Sequence, residues 1–190
     1  MIKNKIDLNN YLIADNSCTD RKNIISIIRS IIIPDYSGNN ILQKYKKALR
    51  HTEYALNTHN YFLLFYWGRI LRKTSRLTGF QIPLNTIGPG LKLFHWGTII
   101  INARVRIGCN LTIHPNVIIG QKIAGGGCPV IGDNCYICSG SIILGGITIG
   151  DNVKIAHNTI IRKNVPSNSV VAGYPARIIK LNGERVDLPL

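Results

Sequence analysis

Two of the five histidines in this chain stand at turning points of a repeating pattern, His95 in "LKLFHWGTIII" and His114 in "LTIHPNV". Imidazole takes and returns a proton near neutral pH more readily than any other side chain. Two imidazoles brought to one edge from distant positions suit a general base and a helper that steadies developing charge. Between them and the rest of the pattern lies "GQKIAGGGCPV", Gly120–Val130, with three consecutive glycines. Such a run weakens a strand and reads as a loop leaving the main body, expected to cover the corner that carries the histidines. Its N–H groups can meet an anion, but no phosphate-loop signature is present. "CYIC", Cys135–Cys138, has the spacing of a redox or zinc motif, yet the repeat accounts for both cysteines.

The elements that position these residues follow from counting by sixes. Ile101, Ile107, Ile113 and Ile119 form one ladder. After a gap at Gly125 it resumes at Ile131, Ile137, Ile143, Ile149, Ile155 and Ile161. Two residues before each rung runs a second ladder: Ile99, Val105, Leu111, Val117, Ile123, then Cys135, Ser141, Ile147, Val153 and Thr159. A helix needs spacings of three and four, whereas a fixed short period marks a solenoid. Three six-residue units close one coil of a triangular prism, with rung side chains inward and Gly or Asn at the corners, where positive φ is tolerated. An earlier ladder, Ile87, Leu93 and Ile99, is out of step with the main one by two residues. The slip falls across "HWGTII" and predicts a bulge bearing His95 and Trp96. Allowing for it, His95 and His114 lie on adjacent coils near one corner.

Residues 1–80 read differently, as an N-terminal helical region preceding a β-solenoid over 81–180 and a C-terminal tail over 181–190. Helices are expected over Arg21–Ile33, stopping at Pro34, over Asn39–Asn57 and over His59–Thr78. These helices suit a cap on the open end of the prism with solvated charges, or a peripheral membrane face, aromatic on one side and basic on the other. The formal net charge is +14, with 13 bases against 5 acids in residues 1–80 and 10 against 4 thereafter. That balance favours an anionic ligand or surface, and no nucleic-acid reader motif is present. The start, "MIKNKIDLNN", has no apolar signal core, which leads to the expectation of a cytoplasmic protein, at most peripheral to the inner face of a membrane. Five cysteines there argue against disulfides.

The six-residue units resemble those of the hexapeptide-repeat acyltransferases, and "NSVVAGYPARIIK", Asn168–Lys180, is similar to that family's closing signature. The resemblance covers roughly Ile82–Lys180 and implies a mainly β fold, the left-handed parallel β-helix, with an N-terminal α-helical cap. "LFHWGTIIIN" resembles the serine acetyltransferase branch, with His95 on its catalytic histidine. Phe94 stands in place of the acid before that histidine, Phe80 in place of an upstream Asp, and Gly127–Cys128 in place of an Arg-His pair. The pattern is therefore read as closer to the capsule and exopolysaccharide O-acetyltransferases. The resemblance implies acetyl-CoA as co-substrate, a saccharide acceptor, a homotrimer and no metal. It places Ser139, Gly140, Ala156 and His157 along the pantetheine arm, with Arg177 and Lys180 toward phosphates. His95 would act as base, oriented by a backbone carbonyl or an amide such as Asn102, and a backbone N–H or His114 would hold the oxyanion. The alternatives are serine O-acetyl transfer, a non-catalytic scaffold, and a zinc carbonic anhydrase of the same solenoid. The last needs a close histidine pair, whereas His95, His114 and His157 are 19 and 43 residues apart.

Overall fold

The computed structural model describes residues 1–16 and 39–190, so the helix expected over 21–33 lies outside the described residues. Helices α1 (Lys5–Asn16), α2 (Asn39–Asn57) and α3 (Tyr61–Thr78) precede fifteen short strands. Helix α3 starts two residues later than its periodicity suggests. His59 takes a left-handed φ of 55°, and the Asn60 side chain caps the helix by accepting the Leu63 N–H at 3.1 Å.

The strands form three sheets that are the faces of the prism. One runs β1 (Phe80–Gln81), β3 (Ile99–Ile101), β6 (Val117–Gly120), β9 (Ile142–Leu144), β12 (Ile160–Ile161). The second runs β4 (Arg106–Ile107), β7 (Val130–Ile131), β10 (Thr148–Ile149). The third runs β2 (Lys92–Leu93), β5 (Thr112–Ile113), β8 (Tyr136–Ile137), β11 (Lys154–Ile155), β13 (Ser169–Ala172), β14 (Arg177–Leu181), β15 (Glu184–Pro189). Pairing between coils is parallel throughout, and only β13 (Ser169–Ala172), β14 (Arg177–Leu181) and β15 (Glu184–Pro189) pair antiparallel. The residues read as a tail are thus an ordered strand. Asn182 and Gly183, both with positive φ, turn the chain back in the manner of an Asn-Gly hairpin.

Both ladders face inward. Every rung of the main ladder from Ile101 to Ile161 is buried. Two rungs of the second ladder are polar, and each hydroxyl is satisfied. Ser141 donates to the Cys138 and Ala156 carbonyls at 2.8 and 3.0 Å, and Thr159 accepts from the Gly173 N–H at 3.2 Å. Ile123 is the exception: it is 69 % exposed, because the glycine run replaces a rung. Among the described residues, every non-glycine position with positive φ is an asparagine apart from His59. Several of these asparagines also bond up the corner, as Asn110 does to Asn134 at 3.0 Å.

Register locates the irregularities. Ile101 pairs with Ile119, an 18-residue coil. Leu93 pairs with Ile113, a 20-residue coil, and Ile119 with Ile143, a 24-residue coil. The first excess is the slip at His95; the second is the Gly-rich loop.

The helices close the first coil through buried charge. Arg50 is fully buried and donates to Asp15 at 2.8 Å, to Glu53 at 3.0 Å and to the Ile87 and Gly88 carbonyls at 2.9 and 2.7 Å. Asp15 accepts the Gly90 and Leu91 N–H groups, both at 2.8 Å. A sheet end with unpaired N–H groups is costly to bury, and this network satisfies it while fixing the helices to the prism. Tyr45 and Phe80 meet edge to face beside it, ring centroids 5.0 Å apart. Among the described residues, no helix is long and apolar enough to cross a membrane.

Candidate active site

Leu93, Ile113, Ile137 and Ile155 are in register over four successive coils. The corner after each is therefore one continuous edge of the prism. Three residues turn the second corner, His114–Asn116, between β5 (Thr112–Ile113) and β6 (Val117–Gly120). Five residues, Phe94–Thr98, turn the first, between β2 (Lys92–Leu93) and β3 (Ile99–Ile101). The two extra residues make the expected bulge. Gly97, at φ +144°, lets it lie on the coil above, since a Cβ there would come within 2.9 Å of the Pro115 ring. The Gly97 N–H donates to the Thr78 carbonyl at 2.8 Å, which anchors the bulge to the end of α3.

His95 projects from this bulge exposed to solvent, flanked by exposed Phe94 and by Trp96, which is 58 % exposed. His114 lies half-buried beside it, ring centroids 6.4 Å apart. Phe94 stacks on His114 at 5.5 Å and 16°. His157, two coils further on, reaches back to within 6.5 Å of His114. The edge therefore gathers three imidazoles, and His157, expected along the pantetheine arm, shares the histidine cluster. Burial, then the neighbouring His95 and His157, push the His114 pKa below the usual imidazole value. Its ring is held neutral, able both to accept and to donate one hydrogen bond.

Tyr136 was not singled out from the sequence, yet its hydroxyl lies 2.7 Å from His114 Nε2. The Lys154 ammonium sits 5.1 Å from the Tyr136 ring centroid. The signal available was positional: Tyr136 is the outward residue of the strand above Thr112, which puts it over the corner of His114.

Two expectations are corrected by the coordinates. The Gly-rich loop does not cover the histidine edge of its own chain. It leaves between β6 and β7 (Val130–Ile131), one prism face away, where Gln121 and Arg104 donate to the Gly126 carbonyl. Asn102 does not orient His95. It sits under that loop, accepting from the Arg104 N–H at 3.0 Å and from Cys128 Sγ at 3.4 Å. Arg177, expected toward a phosphate, has its guanidinium paired with Asp187 of the returning strand β15. Lys180, on the same strand as Arg177, is exposed.

The remaining corner residues, Ser139, Gly140 and Ala156, continue the histidine edge upward as a strip of small side chains. Gly140 has φ +75° and a Cβ there would fall 2.0 Å from Asn158 Oδ1, so the strip is narrow by construction. Among the described residues, no group of three His, Cys, Asp or Glu side chains is disposed to hold a metal ion.

A coiled prism with histidines at one edge is the architecture of acyl-transferring solenoids, and comparison with known proteins agrees. Residues 128–163 match the family model described as bacterial transferase hexapeptide (six repeats). Over that stretch the chain carries the hexapeptide repeats of bacterial transferases. Within them its similarity is to serine acetyltransferases. That of Staphylococcus xylosus is 39 % identical over 122 residues, 62 % of this chain and 56 % of the relative. That of Bacillus pumilus is 34 % identical over 131 residues, 67 % and 60 % respectively. The chain thus spans less than two thirds of the length of these relatives. Among solved structures, Brucella abortus serine acetyltransferase aligns with a TM-score of 0.63 at 25 % identity, covering 96 % of this chain and 70 % of that one. The Neisseria gonorrhoeae serine acetyltransferase in complex with serine aligns at 0.61 and 26 % identity, covering 93 % and 69 %. These relatives overturn the reading of the chain as a polysaccharide O-acetyltransferase. That reading rested on Phe94, Phe80 and Gly127–Cys128 standing where the branch has an acid, an Asp and an Arg-His pair, and the similarity to serine acetyltransferases persists despite these departures.

Proposed function

We propose that this chain transfers the acetyl group of acetyl-CoA to the hydroxyl of serine, with His95 as general base. What carries the proposal is the convergence of His95 and His114 at one prism edge in a chain similar to serine acetyltransferases. His95 Nε2 or Nδ1 takes the hydroxyl proton as the serine oxygen bonds to the thioester carbonyl carbon. His114, neutral and fixed by Tyr136, donates a hydrogen bond to the oxyanion that forms. The carbon–sulfur bond then breaks, and the proton held by His95 passes to the departing CoA sulfur. No covalent bond to the protein is needed.

Serine carries an ammonium group that the sequence supplies no adjacent carboxylate to meet. The exposed faces of Phe94 and Trp96 beside His95 take that place, because a ring face attracts a cation. Ser139, Gly140 and Ala156 line the pantetheine arm, and Lys180 stands toward the phosphates. A homotrimer, with prisms packed face to face, turns the edge into a groove between subunits.

The test is release of CoA thiol from acetyl-CoA on addition of serine. His95→Ala lowers that serine-dependent rate by roughly 10²–10⁴-fold. A variant retaining near-normal turnover removes His95 as base. Absence of any serine-dependent release removes the acceptor.

A further inference from the structure

We propose that the outer face of helix α3 docks the protein on an anionic phospholipid bilayer, independently of the acyl-transfer reading. The inner side of this helix is accounted for. Trp67 stacks on His51 of α2, with centroids 4.1 Å apart, and Thr74 and Thr78 are buried. Among the described residues, the outer side has no partner from another element. Tyr61, Phe62, Phe65 and Tyr66 stand exposed along its first two turns, with Phe62 81 % and Phe65 67 % accessible. Arg69, Arg72, Lys73 and Arg76 follow along the later turns, lining a shallow groove of about 560 Å³ with Ile70 and Leu77.

Two features choose the occupant. First, the face is divided lengthwise into an aromatic half and a cationic half, on a helix about 27 Å long. Aromatic rings settle at the headgroup boundary, and guanidinium and ammonium groups pair with lipid phosphates. Second, no acidic residue occurs between Tyr54 and Gly132. A second copy on this face supplies no carboxylate to the cations: laid parallel it sets cation against cation, and laid antiparallel it sets each cationic half on aromatic rings and leaves the like charges of the two copies unrelieved. An anionic surface meets the same face without that penalty.

The experiment sediments the full chain with phosphatidylcholine vesicles, and with vesicles containing roughly one quarter phosphatidylglycerol. Binding to the anionic vesicles alone, weakened by raised salt, is expected. Neutralising Arg72 and Arg76 as glutamines lowers the partition coefficient by about fivefold for each cation lost. Phe62→Ser with Phe65→Ser lowers it at least tenfold. Both double variants keep their thiol-release activity and their size in solution, which shows that they fold. Equal binding to neutral vesicles, binding to neither, or a fall in oligomeric mass in the Phe62/Phe65 variant overturns the proposal, the last by making the face a contact between copies.

Discussion

Removing one hydroxyl, by Tyr136→Phe, isolates what His114 does. The Tyr136 hydroxyl lies 2.7 Å from His114 Nε2, and burial with two neighbouring histidines keeps that ring neutral. With the imidazole proton on Nδ1, the tautomer that leaves an N–H available to an oxyanion, Nε2 accepts and Tyr136 donates. Phenylalanine deletes one hydrogen bond, about 0.5–1.5 kcal/mol. If that bond sets the ring for the transition state, kcat falls roughly 2- to 12-fold while KM for acetyl-CoA holds. The lost donor had favoured the neutral ring, so the His114 pKa rises. The acid limb of kcat/KM accordingly moves to higher pH. Thiol release followed across a pH series reads both quantities. An acid limb that stays put, or moves down, refutes the donor assignment, since a purely structural tyrosine would alter rate or stability without shifting the titration.

Three further outcomes are expected. Trp96→Ala raises KM for serine about 2- to 5-fold with little change in kcat, the loss of one exposed cation–π contact; an unchanged KM in steady-state assays would count against the aromatic acceptor site. Asp15→Ala leaves the Gly90 and Leu91 N–H groups without their carboxylate beside a buried guanidinium, and costs about 3–5 kcal/mol. Urea titration checks it, and a loss below about 1 kcal/mol would mean the cap is not held by charge. Acidification destabilises the fold: burial lowers the pKa of both His51 and His114 below 6.5, so the unfolded chain binds more protons there. Stability is full above pH 6.5, is lost as pH falls through that value toward the lowered folded values, and levels off beneath them. His51→Gln and His114→Gln each flatten the thermal-midpoint profile against pH over that window.

The prism was legible because its core is a period: each rung sees the same neighbours one coil away, so burial repeats in the sequence. The two-residue slip was legible for the same reason, as a break in that period, and it led directly to His95. What periodicity does not encode is which corner residues meet after three dimensions are closed. His157 lies 43 residues from His114, and only the coil lengths of 24 and 18 bring them to one edge. Ile123 fitted the count yet left the core, since a ladder cannot tell a rung from a loop residue that falls on its number. Asn102 and the glycine loop went to a neighbouring edge because corners look alike in one dimension. The closing hairpin did have a signal, Asn182–Gly183, whose positive φ values are the hairpin turn itself. It returns Asp187 to Arg177, a pairing no local pattern announces.

The bulge at Phe94–Thr98 has a consequence beyond holding a histidine. In a stacked solenoid every turn is the mould for the next, so a change of length or side chain at an ordinary corner is felt above and below. The bulge stands proud of that mould, resting on Pro115 through a glycine and tied to helix α3 by a single backbone bond. Apart from Gly97, which meets Pro115, and Phe94, which stacks on His114, its side chains can be exchanged without retuning the column beneath. A fold built on sameness thus keeps one address at which chemistry can be rewritten.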